Sequence, residues 1–172
     1  MQNFQKLTAK NPTELNSKLE NGFLDQYENA AVHKTHLFAG RYENIYLNEE
    51  HIPELESLIK QAVQHAESIL KINNLRAGYW FNYMPPGATT TLHTHDDDDE
   101  LLSGAYYVKV PEDSGKLIIY DDSDKNHPDK IEIIPKAGEF IFFKPDVRHE
   151  VSRNNSSAHR LSIGINFGVA ND

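Results

Sequence analysis

Residues 159–167 read HRLSIGINF and alternate between polar and apolar side chains. Side chains two residues apart share a face of a β-strand, so the pattern predicts a strand with one apolar face. The apolar face consists of Leu161, Ile163, Ile165 and Phe167. The polar face consists of Arg160, Ser162, Gly164 and Asn166. An arginine facing inward in a two-sheet fold requires a reason, because burying a charge is costly. The alternative for Arg160 is an exposed place on an edge strand.

Short β-rich runs separated by turn residues precede this segment, and they predict further strands. The runs are 77–84, 103–110, 116–121, 131–135 and 139–143. Strands at this spacing indicate a β-sandwich, a barrel or a jelly roll. In the first run, Trp80 and Phe81 are predicted to be core residues.

Two helices are predicted before residue 77. The first has Asn11 as its N-cap and Pro12 at its first helical position, and it is expected to end at Gly22. The second runs from Pro53 to about Lys71, where apolar residues recur with helical spacing. Because the helices come before the strands, we expect them to cover one face of a mostly antiparallel sheet.

Composition excludes several classes of protein. A net charge of −9 makes nucleic acid an unfavourable partner. The chain has no cysteine, which excludes disulfides and thiolate metal sites. No apolar run approaches the roughly 18–20 residues of a membrane span, and the N-terminus lacks the apolar region of a signal peptide. We therefore expect a cytoplasmic protein. A homodimer is the assembly that we consider for it.

A candidate metal site lies in residues 92–100, which read LHTHDDDDE. His93 and His95 are two positions apart and would point the same way on a strand. A third histidine, His149, follows a predicted strand 56 positions after His93. Neutral imidazoles are common ligands of iron, zinc, copper and nickel. The alternatives are a solvated acidic loop and a histidine pair that binds no metal.

The ordered motifs resemble the Fe(II)- and 2-oxoglutarate-dependent oxygenase superfamily, over about residues 77–167. They read PPGATTTLHTH, SGAYYVKVP, PKAGEFIFFKPDVRHEV and RLSIGINF. The resemblance implies a double-stranded β-helix, or jelly roll, with helices backing its major sheet. It also implies a single domain over 1–172, with a helical support region at 1–75 and a jelly-roll core at 76–168.

The resemblance also implies roles for single residues. His93 and His149 match the metal histidines of the superfamily. Arg160 matches the arginine that grips the far carboxylate of 2-oxoglutarate, which suits its planar, bidentate guanidinium. Ser162 shares its face, and Asn82 and Tyr107 match positions that assist cosubstrate binding. The implied chemistry is oxidation of a small-molecule or peptidyl substrate by O2, usually hydroxylation, with Fe(II) and 2-oxoglutarate and without a catalytic proton shuttle.

One departure from the superfamily concerns the third metal ligand. Most members have His-x-Asp or His-x-Glu, whereas the spacing from Gly87 puts His95 at the carboxylate position. Either the triad is His93, His95 and His149, or the frame slides and His95 pairs with Asp97. We favour three histidines because the Gly87 spacing fits His93.

A second jelly-roll class, the cupins, also fits part of the pattern. The spacing of Gly87, His93, His95 and Glu100 satisfies the first cupin motif and would make Glu100 a ligand. The second cupin motif fits less well, and the Arg-x-Ser strand favours the oxygenase. A binding protein on the same fold, without turnover, is the third interpretation.

Overall fold

The computed structural model describes residues 3–95 and 99–171, which form two helices and eleven strands. The helices are α1 (Pro12–Gln26) and α2 (Glu54–Leu70). The N-terminal strands are β1 (Gln5–Thr8), β2 (His33–Phe38) and β3 (Arg41–Tyr46). The remaining strands are β4 (Leu75–Met84), β5 (Thr90–His93), β6 (Leu102–Lys109), β7 (Leu117–Asp121), β8 (Asp129–Ile133), β9 (Glu139–Phe143), β10 (Arg148–Val151) and β11 (Arg160–Val169).

The strands form two antiparallel sheets that pack face to face as a jelly roll. The major sheet has the order β1-β9-β6-β11-β4-β3-β2, and the minor sheet has the order β5-β10-β7-β8. Strand β11 lies at the centre of the major sheet and pairs with β4 along its whole length, from Arg160 opposite Met84 to Val169 opposite Leu75. All six strands predicted from the sequence are present, and the prediction of a mainly β jelly roll is confirmed.

The two faces of β11 have different surroundings, an apolar core on one side and the minor sheet on the other. Its four apolar side chains are at most 1% exposed and join the core under the helices. Leu19 and Phe23 of α1 and Leu55 and Leu58 of α2 complete that core. The helices therefore cover the major sheet, as predicted, while the polar face of β11 looks toward the minor sheet.

The first helix does not end at Gly22, and this prediction is wrong. Helix α1 continues to Gln26 because Phe23 is buried and its ring packs 5.1 Å from the ring of Phe81. A Cβ on Gly22 would lie 3.0 Å from the side chain of Ile52. Gly22 therefore permits a close contact with a neighbouring segment instead of terminating the helix. Asn11 does occupy the N-cap, but its side chain makes no capping hydrogen bond.

The region 1–75 is not purely helical, which corrects the prediction of a helical support region. It contributes strands β1, β2 and β3 to the two edges of the major sheet. The β2–β3 hairpin turns at Ala39 and Gly40, which both have positive φ angles. Among the described residues, no helix is both long and apolar enough to cross a membrane.

Candidate active site

The two sheets enclose a cavity of about 440 Å³ at one end of the jelly roll. Apolar side chains fill the other part of the space between the sheets, including Ile119 of the minor sheet and Ile141 of the major sheet. The cavity wall includes Leu117, Phe143 and Val151, together with the polar face of β11. Polar groups that converge on a partly apolar cavity are typical of a ligand site.

Three imidazoles meet at this cavity. His93 ends β5, His149 lies in β10, and the two are paired across the minor sheet. The ring centroids of His93 and His149 lie 4.3 Å apart, and those of His95 lie 4.7 Å and 4.9 Å from them. One potential ligand atom of each residue lies within 4.8 Å of the other two. The sequence prediction that these residues come together is therefore met, and the cluster suits one metal ion.

Backbone carbonyls orient two of the imidazoles. His93 Nδ1 lies 2.6 Å from the carbonyl oxygen of Thr91, and His149 Nδ1 lies 2.9 Å from that of Val147. A proton on each Nδ1 satisfies these contacts and leaves Nε2 as the metal-binding atom. His95 follows β5, and its backbone N–H donates to the carbonyl oxygen of Pro145 at 2.8 Å.

The environment keeps the buried imidazoles neutral. Burial, followed by the neighbouring His149 and His93, lowers the pKa of His95 to about 3. Burial, followed by His93, lowers the pKa of His149 to about 4. A neutral imidazole is the form that binds a metal, so both residues are ready to act as ligands near pH 7.

Arg160 lies on the cavity wall as a buried cation without a counter-ion. It is 1% exposed, and its Nε has no hydrogen-bond partner in the described structure. Its guanidinium lies 5.2 Å from the centre of the Tyr107 ring, and Nη1 lies 3.6 Å from the sulfur of Met84. No carboxylate among the described residues forms an ion pair with it. Buried charges are normally paired, so the site fits an anionic ligand.

The other three residues predicted to assist cosubstrate binding line the same cavity as Arg160. Ser162 lies opposite Asn82 on one side and Tyr107 on the other, and all three line the cavity. The Asn82 amide is fixed by Arg41, which donates to its Oδ1 at 2.9 Å, and by Thr90, which accepts from its Nδ2 at 3.0 Å. Tyr107 is 1% exposed, and burial raises the pKa of its hydroxyl.

The two other candidates for the third metal ligand have different outcomes. Asp97 lies outside the described residues. Glu100 lies outside the histidine cluster, and its Oε1 is 3.4 Å from Nη1 of Arg76. The cupin ligand set, which requires Glu100 beside the histidines, therefore does not form in this structure.

Sequence reasoning missed part of the site. Trp80 was predicted to be core, but its ring lines the cavity and lies 5.5 Å from the ring of His95. Phe81, on the other face of β4, is buried in the core as predicted. The β2–β3 hairpin adds His36, Glu43 and further polar residues to the cavity wall. The signal for this hairpin was the Ala39-Gly40 pair between two segments containing aromatic residues.

The fold and site together define a metal-dependent jelly-roll enzyme. Residues 78–166, slightly over half of the chain, match the family described as "Putative 2OG-Fe(II) oxygenase". The chain belongs to this family of 2-oxoglutarate-dependent non-haem iron oxygenases, which sets the cupin alternative aside. The three imidazoles fit Fe(II), and the unpaired Arg160 fits the carboxylate of 2-oxoglutarate.

Solved structures share the fold at low sequence identity. The chain resembles a Pseudomonas putida prolyl-4-hydroxylase with a TM-score of 0.66 and 19% identity, over 98% of this chain and 89% of that one. It resembles the non-heme alpha-ketoglutarate-dependent carbocyclase SnoK from nogalamycin biosynthesis with a TM-score of 0.76 and 15% identity, over 98% and 80%. A prolyl hydroxylase from Trichoplax adhaerens gives 0.68 and 16%, over 96% and 83%. No curated protein matched the sequence.

Proposed function

We propose that this oxygenase is a hydroxylase in which His93, His95 and His149 hold Fe(II) and Arg160 anchors 2-oxoglutarate. The observation that carries the proposal is that the Arg160 guanidinium, which has no ion-pair partner, lines the same cavity as the three imidazoles. A dicarboxylate bound to the metal at one end would neutralise the guanidinium at the other.

Each cavity residue has a distinct part in this proposal. Arg160 binds the far carboxylate of the cosubstrate, and the ring of Tyr107 supports the guanidinium from one side. In this proposal the Ser162 hydroxyl donates to the same carboxylate, and Asn82 is held in place by its hydrogen bonds with Arg41 and Thr90. Leu117, Phe143 and Val151 limit the water around the reacting groups.

The bound iron would supply the redox chemistry of the reaction. O2 accepts two electrons from 2-oxoglutarate, which becomes succinate and CO2, and two from a substrate C–H bond, which becomes C–OH. One oxygen atom enters succinate and the other enters the product. The substrate is a small molecule or a peptidyl group. The single domain, the homodimer and the cytoplasmic location stay predictions from the sequence.

Anaerobic reconstitution tests this proposal. Protein with Fe(II) should bind 2-oxoglutarate and show the weak visible absorption band of the chelate. Arg160→Ala should bind 2-oxoglutarate at least tenfold more weakly, whereas Arg153→Ala, which removes an exposed arginine, should bind it normally. Absence of the band in the wild type, or equal affinity in Arg160→Ala, would contradict the proposal.

A further inference from the structure

A buried carboxylate in the cavity has no part in holding the metal or 2-oxoglutarate. Glu43 lies in β3, is 7% exposed and lines the same cavity as the three histidines. It reaches this place because β3 lies next to β4 in the major sheet and the Glu43 side chain contacts Thr91 of β5 in the minor sheet. A carboxylate is costly to bury unless its charge is balanced, so its presence beside the reacting groups requires an explanation.

The hydrogen bonds of Glu43 come from neutral donors and do not pair its charge with a cation. Thr91 donates its backbone N–H to one carboxylate oxygen and its hydroxyl to the other, each at 2.9 Å. Each oxygen thus retains acceptor capacity. In the part of the chain that the structure describes, no lysine, arginine or histidine nitrogen forms an ion pair with this carboxylate.

Arg41 is a neighbouring cation, but its hydrogen bonds go elsewhere. Its guanidinium donates to the side chains of Asn82 and Thr90 and to the carbonyl oxygens of Tyr83 and Thr89, at 2.7–3.2 Å. It influences Glu43 only through space. Arg41 therefore fixes the turn end of the hairpin and leaves the Glu43 carboxylate available to a ligand.

Aromatic side chains share the cavity wall with Glu43. Trp80 and Tyr46 both line the cavity. The indole of Trp80 packs against Gly164, where a Cβ would come within 2.4 Å of the ring. A carboxylate in a cavity with electron-rich rings suits an organic cation, because the rings attract the cation and also contact its alkyl groups.

We propose that Glu43 binds a protonated amine or guanidinium of the substrate, so that this enzyme oxidises a cationic organic molecule. The inference rests on the proposed function and names the substrate class for it. The cationic nitrogen pairs with Glu43, and the alkyl chain attached to it extends along Trp80 toward the histidines. Specificity follows from the buried carboxylate, because a neutral substrate of the same shape leaves it unpaired.

Trp80 provides a direct binding assay, because it is the single tryptophan of the chain. The probes are n-butylammonium, n-butylguanidinium and the neutral 1-butanol, titrated into Zn(II)-loaded protein with 2-oxoglutarate while Trp80 fluorescence is recorded. Wild type should bind at least one of the two cations at least tenfold more tightly than 1-butanol. Glu43→Gln should lose this preference by about tenfold or more, a factor that corresponds to roughly 1.4 kcal/mol.

Two variants separate charge recognition from a structural role of Glu43. Thr91→Val removes one hydrogen bond to Glu43 but keeps its charge, so the preference for the cation should remain. Glu14→Gln removes one exposed negative charge from α1 and should also leave it unchanged. Equal binding of cations and 1-butanol by the wild type, retention of the preference in Glu43→Gln, or an equal loss in Thr91→Val would overturn the inference.

The same proteins distinguish this inference from the proposed function. Glu43→Gln that still shows the Fe(II)–2-oxoglutarate band but has lost the preference supports the cation site. A wild type without that band contradicts the oxygenase mechanism, while the Zn(II) titration still decides whether Glu43 binds cations. Succinate release in the presence of alkylamines and of matched alcohols then tests whether the bound cation is also a substrate.

Discussion

Replacing Arg160 with methionine should have opposite effects on stability and on ligand binding. The guanidinium is 1% exposed, and its Nε lacks a hydrogen-bond partner among the described residues. Burying an ion costs several kcal/mol, whereas a desolvated cation–π contact such as that with Tyr107 returns about 2 kcal/mol. Because methionine fills similar space without a charge, Arg160→Met should increase the free energy of unfolding by roughly 1–4 kcal/mol in the absence of ligand.

Addition of 2-oxoglutarate should narrow or reverse this difference in stability. At 100 times its Kd, the cosubstrate should stabilise the Zn(II)-loaded wild type by about 2.7 kcal/mol. For a chain of this length, that corresponds to a rise in Tm of roughly 5–10 °C. Arg160→Met should gain almost nothing, because its cavity no longer holds a cation for the far carboxylate.

Thermal unfolding of both proteins, with and without 2-oxoglutarate, measures all four states. Arg153→Met is the matched control, since it removes an exposed arginine and should respond to 2-oxoglutarate like the wild type. The reasoning would be refuted if Arg160→Met were less stable than the wild type without ligand and were stabilised by 2-oxoglutarate to the same extent.

Three further perturbations test other parts of the structure. His95→Asp should retain Fe(II), because it restores the usual His-x-Asp pattern. Asp97→Asn should bind Fe(II) like the wild type. Loss of the metal by Asp97→Asn in an equilibrium metal titration would contradict the three-histidine site. Gly164→Ala places a Cβ 2.4 Å from the Trp80 indole, so turnover should fall and Trp80 fluorescence should shift, and an unchanged emission spectrum would contradict the packing. Burial and nearby Lys109 lower the pKa of His159, against an opposing effect of Glu20, so the folded residue stays neutral at pH values where the unfolded one gains a proton. The free energy of unfolding should therefore fall as the pH drops below about 6.5. In His159→Phe this fall should be shallower, by less than about 1.4 kcal/mol per pH unit. Parallel pH dependences of the two proteins in urea titrations would count against this assignment.

The two-residue periodicity of β-strands made part of the site predictable. Alternation placed Arg160 and Ser162 on one polar face of β11, and the structure turns that face toward the cavity. The spacing of His93 and His95 predicted that both side chains point the same way on a strand, and the resemblance to the oxygenase superfamily implied that His149 joins them.

The β2–β3 hairpin could not be predicted in the same way. Its first strand, His33–Phe38, is mostly exposed or half-buried and therefore lacks the apolar alternation that marks a strand. Glu43 is buried in the cavity beside Thr91, which lies 48 positions away in the sequence, so local sequence does not reveal its burial. Trp80 was assigned to the core for a related reason, since composition does not show that Gly164 leaves a space beside it.

Because His93 and His149 lie opposite each other on β5 and β10, metal binding should stabilise the attachment of β5 to the minor sheet. Strand β5 is four residues long and lies at the margin of the minor sheet, where it bonds to β10. An ion bound by both imidazoles would form a reversible cross-link between positions that are 56 residues apart in the chain. Removal of the metal by an added chelator should therefore let β5 fray before the helices or β11 open. The rate of amide hydrogen exchange in β5 would then report how much of the enzyme has lost its iron.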